Sequence, residues 1–350
     1  MEWYKKVNPV SRLARKWSQA ELAHRAGISR AAVSAIEVQR LTPSIAAALL
    51  LATVLECSVE ELFGRGRTAT LRVPEWAWKG RTEPCRYWEA EVNRRRLLYP
   101  VEAVSMNPVP HDGIWEGGMC RESSPALGEA TLTLACCDPA AGLLATEYAR
   151  TTGFRLLVFP RIGRVALDLV RQRLVHVAGL HVSTTDNPQG NVETVRAQVG
   201  ERCWLLRAAQ WEEGIASAVN DRARSTVAVA RCACRRAALE TGSAERKCLD
   251  ELMEGRRLLG RQVNGHAAVA EAVRAGWAGA GICVRFSAEE AGLKFLPIRK
   301  EAVDFCFPAA LRHDPRIQAL IRLMRSRAHR RLVSELPGYD ARQTGEMMVV

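Results

Sequence analysis

The chain has 350 residues, 48% of them hydrophobic and 25% charged, with a formal net charge of +12 and a pI near 9.5. That apolar content excludes a disordered chain, and the length suits two or three domains. No apolar run is long enough for a membrane-spanning helix, and Met1-Glu2-Trp3-Tyr4-Lys5-Lys6 has no apolar stretch of the secretory kind, so the expected compartment is the cytoplasm and no membrane partner is expected; the basic balance favours a polyanion.

The first legible stretch runs from Ser18 to Phe63. Leu22, Ala23, Ala26, Ile28, Val33 and Ile36 supply the apolar positions of two short helices. Gly27 falls between them, where the turn needs a residue that tolerates positive φ. Ser18 is placed to cap the first helix, with Glu21 completing a capping box, and Ser29 to cap the second. Two short helices joined through a glycine turn form a helix-turn-helix, whose second helix enters the DNA major groove.

Ser18-Gln19-x-x-Leu22-Ala23, Ala26-Gly27-Ile28-Ser29 and Val33-Ser34-x-Ile36-Glu37 closely resemble the phage-repressor (Cro-type, XRE) helix-turn-helix family. Thr42-Pro43-Ser44 opening a fourth helix and Ser58 to Phe63 as a fifth continue the likeness, over roughly residues 1–64. The first helix, between Asn8 and Ser18, is shorter than usual and has Pro9 at its start. The resemblance implies an all-α, lambda-repressor-like domain. It implies that Gln19, Ser29, Arg30, Ala31, Ser34 and Ala35 face the groove and that Ser18 and Arg40 meet phosphate. Gln suits adenine, Arg guanine, and Ala31 a thymine methyl. One such unit reads a half-site, so a homodimer on double-stranded DNA is expected.

Gly64 to Thr70 is a basic join, in which Arg65 and Arg67 read as linker charges. Residues 65–130 form a Trp- and Pro-rich connector. Tyr87–Val92 and Arg96–Val101 read as strands around Asn93, and Gly113 to Glu129 as an exposed loop. The interleaved Trp and Arg suit either packing or stacking on single-stranded nucleic acid.

From Thr131 the pattern becomes strand, turn, helix. Strands are expected at Thr131–Cys136, Arg155–Phe159 and Val175–Val182, with helices at Ala140–Thr151 and Gly163–Arg173. This alternation predicts βαβ units and a parallel sheet, with ligands at the strands' carboxyl ends. Ser183–Gly200 reads as a polar loop, Cys203–Trp211 as a strand closed by Glu212-Glu213-Gly214, and Thr226–Cys232 as a further strand. Helices follow at Ala244–Met253 and His266–Ala275, and strands at Ala280–Phe286, Leu293–Pro297 and Val303–Pro308. A basic helical region, Pro315–Glu335, precedes Leu336–Asp340, the expected end of the folded part. The sheet is built twice about the strand at Cys203, the layout of a two-lobed, hinged domain.

Cys137-Asp138-Pro139-Ala140, Val175 to His181, Gly242-Ser243 with Arg246, Val269 to Gly276 and Glu335 to Asp340 resemble the periplasmic-binding-protein-like domain (type II, α/β, two-lobed) that accompanies XRE-type readers or molybdopterin-biosynthesis enzymes. The likeness covers residues 131–350 and implies a small anionic effector such as molybdate or tungstate, with no other cofactor. Backbone amides and hydroxyls hold such anions at helix N-termini. The places offering them are Cys137 to Ala140, Ile162-Gly163-Arg164 and Thr241-Gly242-Ser243. Relatives carry Gly-Ser where Gly163-Arg164 stands here, and Arg164 favours a bulkier or more charged anion. Asp138 is expected to cap the helix at Ala140; His181 and His266 are either ligand contacts or structural histidines.

The eleven cysteines include no Cys-x-x-Cys pair and read as reduced, buried thiols, a redox or thiolate-metal sensor being the alternative. No metal site is expected, and no nucleophile elbow, phosphate loop or zinc-protease pair marks an enzyme. Glu212-Glu213 and Glu289-Glu290 read as solvated faces. The function expected is a ligand-responsive transcription regulator. The alternatives are a molybdopterin-biosynthesis protein that binds DNA for autoregulation and a constitutive DNA-binding protein with a degenerate pocket.

Overall fold

A computed structural model describes residues 12–62, apart from 13, 14, 16, 38, 39, 58, 60 and 61, and residues 74–350, apart from 81, 103–109, 122–124, 219–224, 232, 233 and 254–259. The first helix expected before Ser18, the fifth at Ser58–Phe63 and the join at Gly64–Thr70 lie wholly or mostly outside the described residues. The chain divides into two compact units, Met1–Val73 and Pro74–Val350.

In the first unit, helices Gln19–Ala26, Arg30–Glu37 and Ile45–Val54 follow one another. The Ser18 hydroxyl accepts from the Glu21 amide, and Gly27 takes φ +64°, ending the first helix in the left-handed region. Ser29 and Ser44 cap the next two helices through the amides of Ala32 and Ala47. The capping box is only half formed, because the Glu21 carboxylate goes to Arg25 Nε at 2.7 Å. Leu22, Ala23, Ala26, Val33, Leu51 and Leu55 make the core, with Trp17, Ile28 and Ile36 against it.

Among the described residues the second unit holds two sheets. The smaller has the order β1-β3-β2-β4-β5, from Glu75–Trp76, Cys85–Val92, Arg95–Pro100, Gly113–Glu116 and Met119–Arg121. Asn93 and Arg94, both at positive φ, make the tight turn between β2 and β3. Gly113–Glu129 is therefore no loop: it holds two strands and the helix Pro125–Glu129, which its short strands concealed. Residues 74–130 of the expected connector belong to the same compact unit as residues 131–350. Tyr99 stacks on Phe159 at 4.8 Å, and Trp78 meets it edge-on. Arg155 clamps Asp112 at 2.6 Å. Trp76, Trp78, Trp88 and Trp115 are half-buried and take part in packing, the first of the two roles expected of them.

The larger sheet comprises β6 Thr131–Cys136, β7 Arg155–Pro160, β8 Val177–Thr184, β9 Cys203–Ser217, β10 Arg236–Ala238, β11 Gly260–Gln262, β12 Ala280–Val284, β13 Lys294–Pro308, β14 Tyr339–Asp340 and β15 Met347–Val349. Its order is β11-β10-β12-β9-β13-β8-β6-β7, with β14 and β15 also paired to β9. β6, β7 and β8 run parallel in one lobe and β10, β11 and β12 in the other. The antiparallel pair β9/β13 belongs to both lobes and is the hinge.

Several expected boundaries move. β9 continues through Glu212-Glu213-Gly214 to Ser217, because Gly214 lets β13 approach: a Cβ there would lie 2.3 Å from the Leu296 carbonyl oxygen. Leu293–Pro297 and Val303–Pro308 are one strand with bulges at Pro297/Arg299 and Val303/Asp304. Ser183–Gly200 contains the helix Gly190–Val199, whose polar start masked its buried Val192, Val195 and Val199. Thr226–Arg231 is a helix, not a strand. Arg285–Glu290 is a helix after β12. The fold also runs on past Asp340, since β15 pairs with β9 and Val350 exchanges backbone bonds with Cys203.

Candidate functional site

At the head, Ser18, Ser29, Arg30, Ala31 and Arg40 are exposed, and Gln19, Ser34 and Ala35 half-buried. Gln19 Nε2 donates to Glu37 Oε2 at 2.8 Å, and Arg12 also holds that carboxylate. The amide that would meet a base is thus set in place by the end of the next helix.

In the body, Cys137 follows β6, His181 sits on β8, Glu245 lies in the first turn of the helix Ala244–Met253, and His266 opens the helix His266–Arg274. The first two belong to one lobe and the last two to the other. Their donor atoms all lie within 4.8 Å of one another. Cys137 Sγ is 3.0 Å from His181 Nε2. Glu245 Oε1 is 3.1 Å from His266 Nε2 and 3.5 Å from His181 Nε2. That oxygen and His266 Nε2 face each other out of line for a hydrogen bond, and Cys137 is a further polar neighbour of the His266 ring.

The hinge strands supply the layer behind. The register sets Trp211 opposite Glu301 and Glu213 opposite Arg299, so four side chains share one face. His181 Nδ1 lies 2.7 Å from Glu301 Oε2, to which Trp211 Nε1 donates at 3.0 Å. Arg299 Nη2 reaches Glu301 at 2.7 Å and Glu213 at 3.2 Å. Glu213 is fully buried, which corrects its reading as a solvated face; Glu212 turns the other way, to Arg285, as neighbours in a strand must.

The electrostatics follow from this packing. Burial raises the Cys137 thiol, but the charge and hydrogen bond of His181 together with a hydrogen bond from His266 outweigh burial and hold it below its ordinary value. Burial alone would lower His181, yet Cys137, Glu301 and Glu245 hold it well above 6.5. Burial likewise opposes the charged form of Glu301, but His181, Arg299 and Trp211 bring it down to about 2. Burial and then Glu301 push Glu213 well above the carboxylate range.

Of the ligand residues expected from sequence, Cys137, His181 and His266 come together. Arg164 is exposed at the rim, its guanidinium 3.5 Å from where a Cβ on Gly242 would stand. Gly163 packs instead, since a Cβ there would meet Leu180 at 3.2 Å. Ser243 caps the helix Ala244–Met253 through the Arg246 amide, and Thr241 is exposed. Asp138 does not cap the helix Ala141–Thr152, which has no side-chain cap; it accepts from the Ala140 amide in a turn just ahead of that helix, and from Tyr339 Oη at 2.6 Å. Sequence reasoning missed Glu245, Glu301, Trp211 and Arg299. Glu245 left a signal: it stands three and four residues before Cys248 and Leu249, on the stripe that must be buried. Glu301 left none.

Residues 145–325, just over half of the chain, match the model of a PBP superfamily domain. The chain belongs to the PBP superfamily. Residues 11–62 of this PBP-superfamily chain match a helix-turn-helix model, so an all-α DNA-binding head precedes a two-lobed α/β body. Neither matched domain is a catalytic one. The body is similar to an ancestral amino acid-binding protein, a precursor of cyclohexadienyl dehydratase, at 11% identity over 59% of this chain and 95% of that one, TM-score 0.43. It is also similar to PhnD1 from Prochlorococcus marinus in complex with methylphosphonate, at 10% identity over 61% and 94%, TM-score 0.42. A third similar structure is a binding protein component of an ABC phosphonate transporter from Pseudomonas aeruginosa, at 10% identity over 63% and 81%, TM-score 0.39. No curated protein matches the chain. Among the described residues no helix is long and apolar enough to cross a membrane.

Proposed function

We propose that this chain is an effector-responsive transcription regulator, acting as a homodimer on a two-fold operator. The observation that carries the reading is that one site draws its donors from both lobes: Cys137 and His181 from one, Glu245 and His266 from the other. Opening about β9 and β13 would pull these donors apart, so a solute held between them stabilises the closed body. A closed and an open body give a dimer two spacings for its DNA-reading heads. A coupling of about 1–3 kcal/mol changes operator affinity about 5–150-fold. Leu41, Ile45, Leu49 and Leu50 are exposed on and before the helix Ile45–Val54, an apolar face that a second copy would cover.

The effector implied by the resemblance is an oxyanion, molybdate or tungstate. Arg164 beside Gly242 supports it; the buried Glu245 and Glu301 at the centre oppose it. The Cys137–His181–Glu301 relay is also one a thiol nucleophile could use, and turnover of a molybdopterin precursor above blank would favour that reading. The main test is selection of duplexes from a random pool by the full chain. Enrichment of paired half-sites about one helical turn apart is expected, with affinity changed by one solute among molybdate, tungstate, sulfate, phosphate and divalent metals. A pool that yields no sequence refutes operator reading.

A further inference from the structure

We propose that Cys137, His181, Glu245 and His266 form a four-coordinate site for a thiophilic divalent metal ion of the zinc class. As a binding site it stands on its own geometry; as the effector site it rests on the regulator reading above. A tetrahedral zinc site, with bonds of about 2.0–2.3 Å, sets neighbouring donors roughly 3.3–3.8 Å apart. Of the separations here, 3.5 Å falls within that range, 3.0 and 3.1 Å lie a few tenths of an ångström below it, and none exceeds 4.8 Å, so small shifts of these side chains would admit the ion. An oxyanion needs more room, because each hydrogen bond of about 2.8 Å adds to the anion's own radius on both sides.

The buried polar atoms point the same way. Glu245 is 2% exposed and the His266 ring 0%; their Oε1 and Nε2 face each other at 3.1 Å out of line for a hydrogen bond, and their other polar neighbours in the cluster are Cys137 and His181. Polar atoms so deeply buried normally have partners. These converge on one another, as donors to a common ion do. The layer behind fits a metal ligand too. His181 gives its Nδ1 to Glu301, which Trp211 and Arg299 hold; a carboxylate behind a ligating imidazole fixes the ring and leaves Nε2 for the metal.

Charge and donor type select the ion. One thiolate, one carboxylate and two neutral imidazoles neutralise a dication, which a buried site requires. Sulfur and imidazole nitrogen disfavour magnesium and calcium, which take oxygen. Binding forms bonds from the ion to Cys137 Sγ, His181 Nε2, Glu245 Oε1 and His266 Nε2, and releases to solvent the proton that Cys137 and His181 hold between them.

The test titrates reduced, metal-free full-length chain with cobalt(II), then zinc(II). One cobalt per chain is expected, with the intense visible bands of a four-coordinate ion, a thiolate-to-cobalt charge-transfer band, and displacement by zinc. Cys137→Ser should abolish the charge-transfer band, and Glu245→Gln and His266→Ala should weaken binding tenfold or more. Absence of cobalt binding, or a charge-transfer band that survives Cys137→Ser, overturns the site. A readout on the unmutated chain guards against variants that fail to fold: zinc should protect Cys137 from alkylation, measured by peptide mapping, and no protection overturns the site. Binding of the selected duplex with and without zinc tests the effector role separately. A change of fivefold or more supports it; unchanged DNA binding beside an intact cobalt spectrum refutes zinc as effector.

Discussion

The two working surfaces of this chain are made in opposite ways. The DNA-reading head is local: Ser18 to Arg40 supply its caps, its turn and its contacts within two helices, and most of those side chains face solvent. The hinge site is remote. Cys137 and Glu301 are separated by most of the body's sequence, and the groups around them are buried. A surface built locally tolerates change in its contacts without losing its fold. A site built by long-range pairing carries the fold's own stability, so touching one touches the other.

The largest effect should come from the hinge. Trp211 is 1% exposed and packs against His181, His266 and Tyr339. Trp211→Ala should cost the body about 3–5 kcal/mol in urea unfolding, and a loss under about 1 kcal/mol would show that the two surfaces are alike. Next comes acid. His176, buried between Thr133 and the Glu91 carbonyl, is lowered from 6.5 to about 3, by burial first and by Arg316 second. Between those values the unfolded chain binds a proton that the folded chain refuses. Stability should therefore fall as pH drops from 6.5 towards 3, by up to about 4 kcal/mol, and His176→Asn should flatten that limb of the pH profile.

The head should respond more gently and more selectively. Arg30→Ala should lose about 1–3 kcal/mol on the selected duplex, with random DNA and the unfolding of the body unaffected. Equal loss on random DNA would make Arg30 a phosphate contact. The smallest effect expected is Ser18→Ala, which removes the bond to the Glu21 amide and should destabilise the head by about 1 kcal/mol. Thermal unfolding followed by helical circular dichroism would measure it; a shift in the body's transition would contradict the contrast between the two surfaces.

Legibility follows the same division. The head could be read because caps, the Gly27 turn and the helical period are properties of neighbours in sequence. Cys137, His181 and His266 were visible as chemistry, but their meeting was not. The reading of Glu213 as solvated failed because a carboxylate in an apolar strand looks like an edge until a paired strand brings Arg299 to it. Ser183–Gly200 hid a helix because Asn187-Pro188 and Gly190-Asn191 are turn signals that here introduce the helix Gly190–Val199.

The amino-acid order alone determined the helix-turn-helix, the alternation of strand and helix, and hence the two-lobed plan, since each rests on periodicity and capping over a few residues. Tertiary structure decided that β9 and β13 run unbroken through both lobes, and that their register sets Trp211 against Glu301 and Glu213 against Arg299. It also decided that Glu245 and His266 come from the second lobe to meet Cys137 and His181 from the first. Strand register between segments some ninety residues apart leaves no local trace, because it is chosen by which buried faces fit together.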